Sequence, residues 1–151
     1  MNLLIEWNNK INLTAITEPK EIILKHFVDC ATINKFIDKN KVLDIGTGAG
    51  FPGIPLKIIN EDLEITLADS LNKRIKFLDI VIETLELNKI ETIHSRAEEL
   101  AKNKKYRESY DIVVSRAVAA LNVLLEYTTP FIKVGGKVIC MKGNNVEEEI
   151  K

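Results

Sequence analysis

Cysteine, histidine and tryptophan are nearly missing from this chain, with two, two and one among 151 residues. Cys30 and Cys140 stand far apart, so they build neither a disulfide framework nor a zinc site; they read as small buried thiols in a reducing compartment. His26 and His94 are too few and too isolated for a metal centre, and no metal is expected. No apolar run approaches the ~18 residues of a membrane span. The opening MNLLIEWNNK lacks a basic segment followed by an apolar one, so it does not read as a signal peptide. These absences point to a cytoplasmic protein. A basic excess is absent too: the net charge is -1 and the pI about 6.2. A dedicated nucleic-acid binder is more basic, so any such contact must come from a local patch. Repeats, low-complexity tracts and Pro/Gly/Ser linkers are not found.

What is present is ordinary globular material, 46% hydrophobic and 28% charged, enough for one domain with a real core. Residues 19–36 read as a helix, with Ile22, Ile23, His26, Phe27, Cys30 and Ile33 on one face and a start at Thr17-Glu18-Pro19. Beyond it, apolar strands at 41–45, 63–68, 90–94, 110–115 and 137–141 alternate with helical stretches at 52–59, 71–87 and 118–131. Residues 98–105 read as a charged helix or turn, and Gly135-Gly136 as a turn. The buried face of the long helix is expected along Leu71, Ile75, Leu78, Ile82 and Leu85. This alternation predicts an α/β fold, a doubly wound and mostly parallel Rossmann-like sheet. Residues 1–38 form an N-terminal helical segment packed on a cofactor-binding domain at 39–151. Such sheets take ligands beyond the carboxyl ends of their strands, where the strand order reverses.

A glycine loop falls at that place. It reads Asp44-Ile45-Gly46-Thr47-Gly48-Ala49-Gly50-Phe51-Pro52-Gly53, after the first strand and before a helix. Glycine is needed where backbone takes positive φ or passes close to a ligand, and the following helix offers free N–H groups. That suits a dinucleotide phosphate or the carboxylate of S-adenosylmethionine. A dinucleotide fingerprint spaces its glycines G-x-G-x-x-G. Here the spacing is G-x-G-x-G with Asp44 two residues before the first glycine, and Phe51 occupies the third dinucleotide position. This form resembles motif I of class I methyltransferases.

Other candidates sit at strand ends. Asp69 can accept hydrogen bonds from ribose hydroxyls, or cap the following helix, as Ser70 also can. Ala97 and Glu98 follow the third strand, where an adenine would lie; the alternative is a helix start with acids in its first turn. Arg116 ends the fourth strand and can hold an anionic group or a base edge, or serve as scaffold. Lys73, Arg74 and Lys76 open the long helix while Asp79, Glu83 and Glu86 follow, the reverse of what the helix dipole favours. That inversion marks either a site or a solvated charge ladder. Lys102, Lys104, Lys105 and Arg107 make a second basic run, of the kind that is usually just solvated.

Together these residues resemble the bacterial 16S ribosomal RNA guanine-N7 methyltransferases, the glucose-inhibited division protein B family. The matches are Trp7-Asn8 and Ile11-Asn12-Leu13-Thr14, Lys25-His26-Phe27 with Asp29, the glycine loop extended through Pro52-Gly53-Ile54-Pro55-Leu56, Asp69-Ser70-Leu71 with Lys73-Arg74, Arg96-Ala97-Glu98-Glu99, Ser115-Arg116-Ala117-Val118-Ala119 and Lys142-Gly143. The resemblance implies S-adenosylmethionine as cofactor, 16S ribosomal RNA or the small ribosomal subunit as partner, and methyl transfer to guanine N7. It implies cofactor contacts at Gly46, Gly48, Phe51, Asp69, Ser70, Leu71, Ala97, Glu98 and Arg116, with no general base. Cys30 stands where the family usually carries serine. Family members carry more helix before Trp7 and two more strands after Gly143, so a sheet lacking its last strands is expected. A monomer is favoured. The rival readings are a class I methyltransferase with another substrate, a nicotinamide-dependent oxidoreductase, and a non-catalytic module that binds cofactor or ribosome.

Overall fold

The computed structural model describes residues 1–116 and 118–143. Five strands, β1 (Lys41–Ile45), β2 (Glu64–Asp69), β3 (Ile90–His94), β4 (Tyr110–Arg116) and β5 (Ile132–Met141), form one sheet in the order β3-β2-β1-β4-β5. Every neighbouring pair is parallel, so the α/β Rossmann-like expectation holds for the described residues. Parallel strands are covered on both faces and need apolar side chains at nearly every position. β4 meets this demand at Ile112, Val113 and Val114, all fully buried.

Alternate side chains feed two cores. Val42, Ile65, Leu67, Ile112 and Val114 face a layer of helices that includes α1 (Asn2–Ile11), α4 (Gly53–Ile59) and α5 (Asn72–Thr84). Leu43, Ile45, Ala68 and Val113 face the opposite layer, where Leu100 of α6 (Ala97–Leu100) and Phe131 beyond α7 (Leu121–Thr128) close the core. β1 pairs with β2 on one side and β4 on the other, so the strand order reverses there. The carboxyl ends of these three strands bring Ile45, Asp69 and Arg116 to one edge.

The helical stretch at 19–36 is not uniform. After α2 (Pro19–Ile22), Ile23–Val28 is π-helical; α3 (Asp29–Thr32) follows, and Ile33–Phe36 ends the run as a 3-10 turn. Ile22, His26, Cys30 and Ile33 are buried as expected, but Ile23 is exposed.

Several other boundaries differ from the sequence reading. α5 buries Ile75, Phe77, Leu78 and Val81, while Leu71 and Leu85 are exposed. Leu71 and Leu85 flank the helix at its two ends, and Phe77 on the inner face packs against α1, its ring 5.8 Å from that of Trp7. Residues 118–120 are not helical; α7 begins at Leu121. Gly135-Gly136 lies inside β5 instead of before it. There the register against β4 steps from Tyr110↔Ile132 to Ile112↔Lys137, a bulge that Gly135 permits with φ +79.

Lys57 of α4 is buried at 2% exposure, with Nζ donating to the carbonyls of Glu61 and Leu63, each at 2.6 Å. It closes the turn between α4 and β2. Lys57→Met preserves the apolar stem and strands two carbonyls. It should cost about 2 kcal/mol in urea denaturation. A loss below about 0.5 kcal/mol would show that water satisfies these carbonyls equally well.

Candidate functional site

The glycine loop takes its shape from Asp44, at the carboxyl end of β1 and wholly buried. Its Oδ2 accepts from Thr47 Oγ1 and from the Gly53 N–H, both at 2.8 Å, so one oxygen holds both ends of the loop. Oδ1 has no partner among the described residues. Burial outweighs these two bonds and pushes the carboxyl up to about 7.

The loop then turns through Gly46 (φ +67) and Gly48 (φ +60), conformations costly for any residue with a Cβ. A Cβ on Gly46 would also lie 2.5 Å from Val118 Cγ2. On Gly48 it would meet nothing nearer than 4.0 Å and would project into open space. The Gly48 N–H donates to Asp69 Oδ2 at 2.9 Å. Asp69, at 3% exposure, also accepts at Oδ1 from the Leu71 N–H (2.9 Å), and Arg74 Nη1 lies 3.3 Å from Oδ2. Its side chain therefore does not cap α5; it ties the loop to the start of that helix. The early cation Arg74 answers this carboxylate, which gives part of the inverted charge pattern a local cause.

Two adjoining cavities flank this loop, sharing Gly46, Asp69, Ser70 and Val118. One, about 370 Å³, is lined also by Thr14, His26, Gly48, Phe51, Arg74 and Arg116. The other, about 220 Å³, extends past Ser95, Arg96, Ala97 and Glu98 to Tyr127. Of the residues singled out in the sequence, Gly46, Gly48, Phe51, Asp69, Ser70, Ala97, Glu98 and Arg116 line this pair of cavities. Leu71 lines neither; its side chain is exposed and it contributes its backbone N–H to Asp69. Ala117 lies outside the described residues. His94 bonds the Ser70 carbonyl at 3.0 Å, a strand-end role.

The wall of the larger cavity holds what the sequence reading passed over. Arg116 Nη2 lies 2.7 Å from His26 Nδ1, and Nη1 donates to the Lys25 carbonyl at 3.2 Å. His26 Nε2 is 2.8 Å from Thr14 Oγ1. The imidazole stacks on Phe51 (centroids 4.8 Å apart, planes at 16°), and the Arg116 guanidinium carbon lies 5.2 Å from the same ring centroid. The extra residue in the π turn is the kind of local signal that often marks a site, but nothing in the composition announces it. Asp44, Thr14 and Val118 were likewise not named as site residues.

A parallel sheet ordered 3-2-1-4-5, with a glycine loop after its central strand and a buried acid after the next, defines a class I methyltransferase fold. A crystal structure of a candidate caffeoyl-CoA O-methyltransferase from Staphylococcus aureus matches it with a TM-score of 0.67 at 20% identity, over 99% of this chain and 76% of that one. Coclaurine N-methyltransferase bound to N-methylheliamine and SAH matches with a TM-score of 0.61 at 13% identity, over 75% of this chain and 34% of that one. The family is more specific than the fold: the chain belongs to GidB, rRNA small subunit methyltransferase G, whose model matches residues 1–151. The ribosomal RNA small subunit methyltransferase G of Clostridium tetani is 58% identical over 99% of this chain and 64% of its own length. That of a Thermoanaerobacter species is 55% identical over 99% and 63%. The chain thus spans just under two thirds of the length of these relatives.

Asp44 makes a pH test. The unfolded carboxyl ionises near 3.8 and the folded one near 7, so ionisation favours unfolding between these values. The stabilising effect of the raised value is complete below the unfolded pKa and is lost as pH rises through the folded one. Asp44→Asn has no such ionisation. In urea melts its stability relative to wild type should be greater at pH 8 than at pH 5. An offset independent of pH would mean that Asp44 is already ionised at pH 5.

Proposed function

We propose that the paired cavities are an S-adenosylmethionine site, and that the protein methylates N7 of a guanine in 16S ribosomal RNA. The observation that carries the cofactor reading is the groove running across Gly46 and Gly48, with Asp69 beside it and Glu98 beyond. The residues fit such a group: a side chain at Gly48 would project into the open space beside the loop, and one at Gly46 would strike Val118, which lines both cavities. When bound, S-adenosylmethionine supplies an electrophilic methyl group on a sulfonium. Asp69 and Ser70, with the Leu71 backbone, stand where ribose hydroxyls would be received, and Asp69 retains acceptor capacity after its present bonds. Ala97 and Glu98 stand where the adenine would lie, with Glu98 able to accept from an exocyclic amine. Gly46, Gly48, Phe51 and Arg116 bound the end where transfer would occur.

The acceptor reading rests on the family. Guanine N7 bears a lone pair and no proton, so attack needs no general base. His26 is not free to act as one: both of its nitrogens are engaged by protein groups. Its work on this reading is alignment and exclusion of water. The proposed partner is the small ribosomal subunit or its RNA. Arg74 and Arg116 stand at the larger cavity and Arg96 at the smaller, among the carboxylates of Asp69 and Glu98.

Calorimetric titration with S-adenosylhomocysteine, with NAD as comparison, tests the cofactor half. Saturable binding of the first and none of the second is expected. Glu98→Ala, a change at an exposed side chain, should weaken it roughly tenfold without altering the melt. Binding of NAD, or of neither ligand to folded protein, would overturn the reading. Methyl transfer from labelled S-adenosylmethionine to small subunits, blocked at guanine N7, tests the acceptor.

A further inference from the structure

The hydrogen bonds around His26 fix its chemistry without reference to any ligand. A guanidinium has donors and no acceptor. The nitrogen facing Arg116 Nη2 at 2.7 Å, Nδ1, must therefore carry the lone pair. The proton is then on Nε2 and is donated to Thr14 Oγ1 at 2.8 Å. Thr14 Oγ1 also accepts from the Ile16 N–H at 3.1 Å, and the Thr14 N–H is held by Asn8 Oδ1 at 2.8 Å. With both lone pairs taken, the Thr14 hydroxyl has its own proton left to donate, and Thr14 lines the larger cavity.

We infer that His26 is a positioning residue: as a neutral, Nε2-protonated imidazole it locks Arg116 on one side and Thr14 on the other, and so sets the donors that line the methyl-transfer end of the cavity. Protonation at Nδ1 would set an N–H against the guanidinium and break the lock. The charged groups that face the imidazole are Arg116 from β4 and Asp29 from α3; Asp69 and Arg74 line the same cavity from β2 and α5. Burial and Arg116 hold the imidazole below its ordinary range, against a smaller opposing pull from Asp29. The neutral form thus persists at neutral pH, and the lock opens only on acidification below about 6.5, the ordinary imidazole value. Phe51 supports the arrangement from the stacked face.

The functional consequence rests on the cofactor reading above; the tautomer does not. Nitrogen-15 spectra of the ligand-free chain should show His26 Nδ1 unprotonated and Nε2 protonated at pH 7.5, with a titration midpoint below that of a free imidazole. Arg116→Met should raise that midpoint. S-adenosylhomocysteine affinity should stay level from pH 8 to 6.5 and fall under more acid conditions. His26→Asn keeps an acceptor at the δ position, so it should stay within about threefold of wild type at pH 7.5 and lose the acid fall, whereas His26→Leu should lose roughly tenfold. Two results would overturn the inference: an Nδ1-protonated His26, or His26→Leu binding like wild type with the same acid fall. If His26→Leu does not fold, His26→Asn and the spectra decide. Wild type that fails to bind at any pH, yet shows the expected tautomer and the Arg116→Met shift, would overturn the cofactor reading and leave the lock standing.

Discussion

One buried oxygen sets the form of the site. Asp44 Oδ2 takes hydrogen bonds from Thr47 near the start of the glycine loop and from Gly53 at its end. The backbone between is therefore a closed bracket, not a free connection. Its interior turns through left-handed conformations at Gly48 and Gly50, and the residue just before it, Gly46, does the same, which is why glycines stand there. A second carboxylate, Asp69, fastens the middle of the bracket through Gly48 and joins it to α5 through Leu71. Remove the first carboxylate and the loop loses both ends; remove the second and it loses its register against β2. Both acids are buried, and burying them opposes stability, most plainly at Asp44. The fold bears that cost where the sheet is best able to hold it, at the ends of its two most central neighbours.

The sheet explains why a helix from the start of the chain reaches this place. β4 joins β1 on the side away from β2, so Arg116 ends beside the glycine loop. The layer over that face holds residues 19–36, fixed by Ile22, Cys30 and Ile33 in the core. His26 falls between the core positions Ile22 and Cys30 on the inward face, and the π segment carries it against Phe51 and Arg116. Arg116 makes contact with Lys25, His26, Asp29 and Cys30, so the fourth strand and the N-terminal helical run meet through one guanidinium.

Much of this was legible in the sequence because local and global signals agreed. All five strands were readable from short apolar runs between turn residues. The glycine loop was readable from spacing, since only a special backbone needs three glycines in five residues. Errors arose where tertiary contact overrode local pattern. Of the stripe expected on α5, Ile75, Leu78 and Ile82 pack inward; Leu71 and Leu85 do not, since they flank the helix at its two ends, and Phe77, against Trp7 of α1, joins the inner face with Val81. Gly135-Gly136 has the composition of a turn but works as a bulge, because β4 beside it continues the ladder. His26 was dismissed on count: two histidines cannot make a metal site. A count bears on metals and is silent on hydrogen bonding, which needs only one imidazole and a partner 90 residues away.

The same imidazole bears on what kind of chemistry the site can support. A histidine beside a reaction centre is ordinarily the first candidate for a base. Here Nδ1 is taken by a guanidinium that cannot give up its donors, and Nε2–H by a threonine. Recruiting the ring as a base would put a second positive charge against Arg116 inside a desolvated wall. The imidazole is therefore poorly placed to take a proton from an acceptor. What the ring is left to do is hold Arg116 on one side and Thr14 on the other.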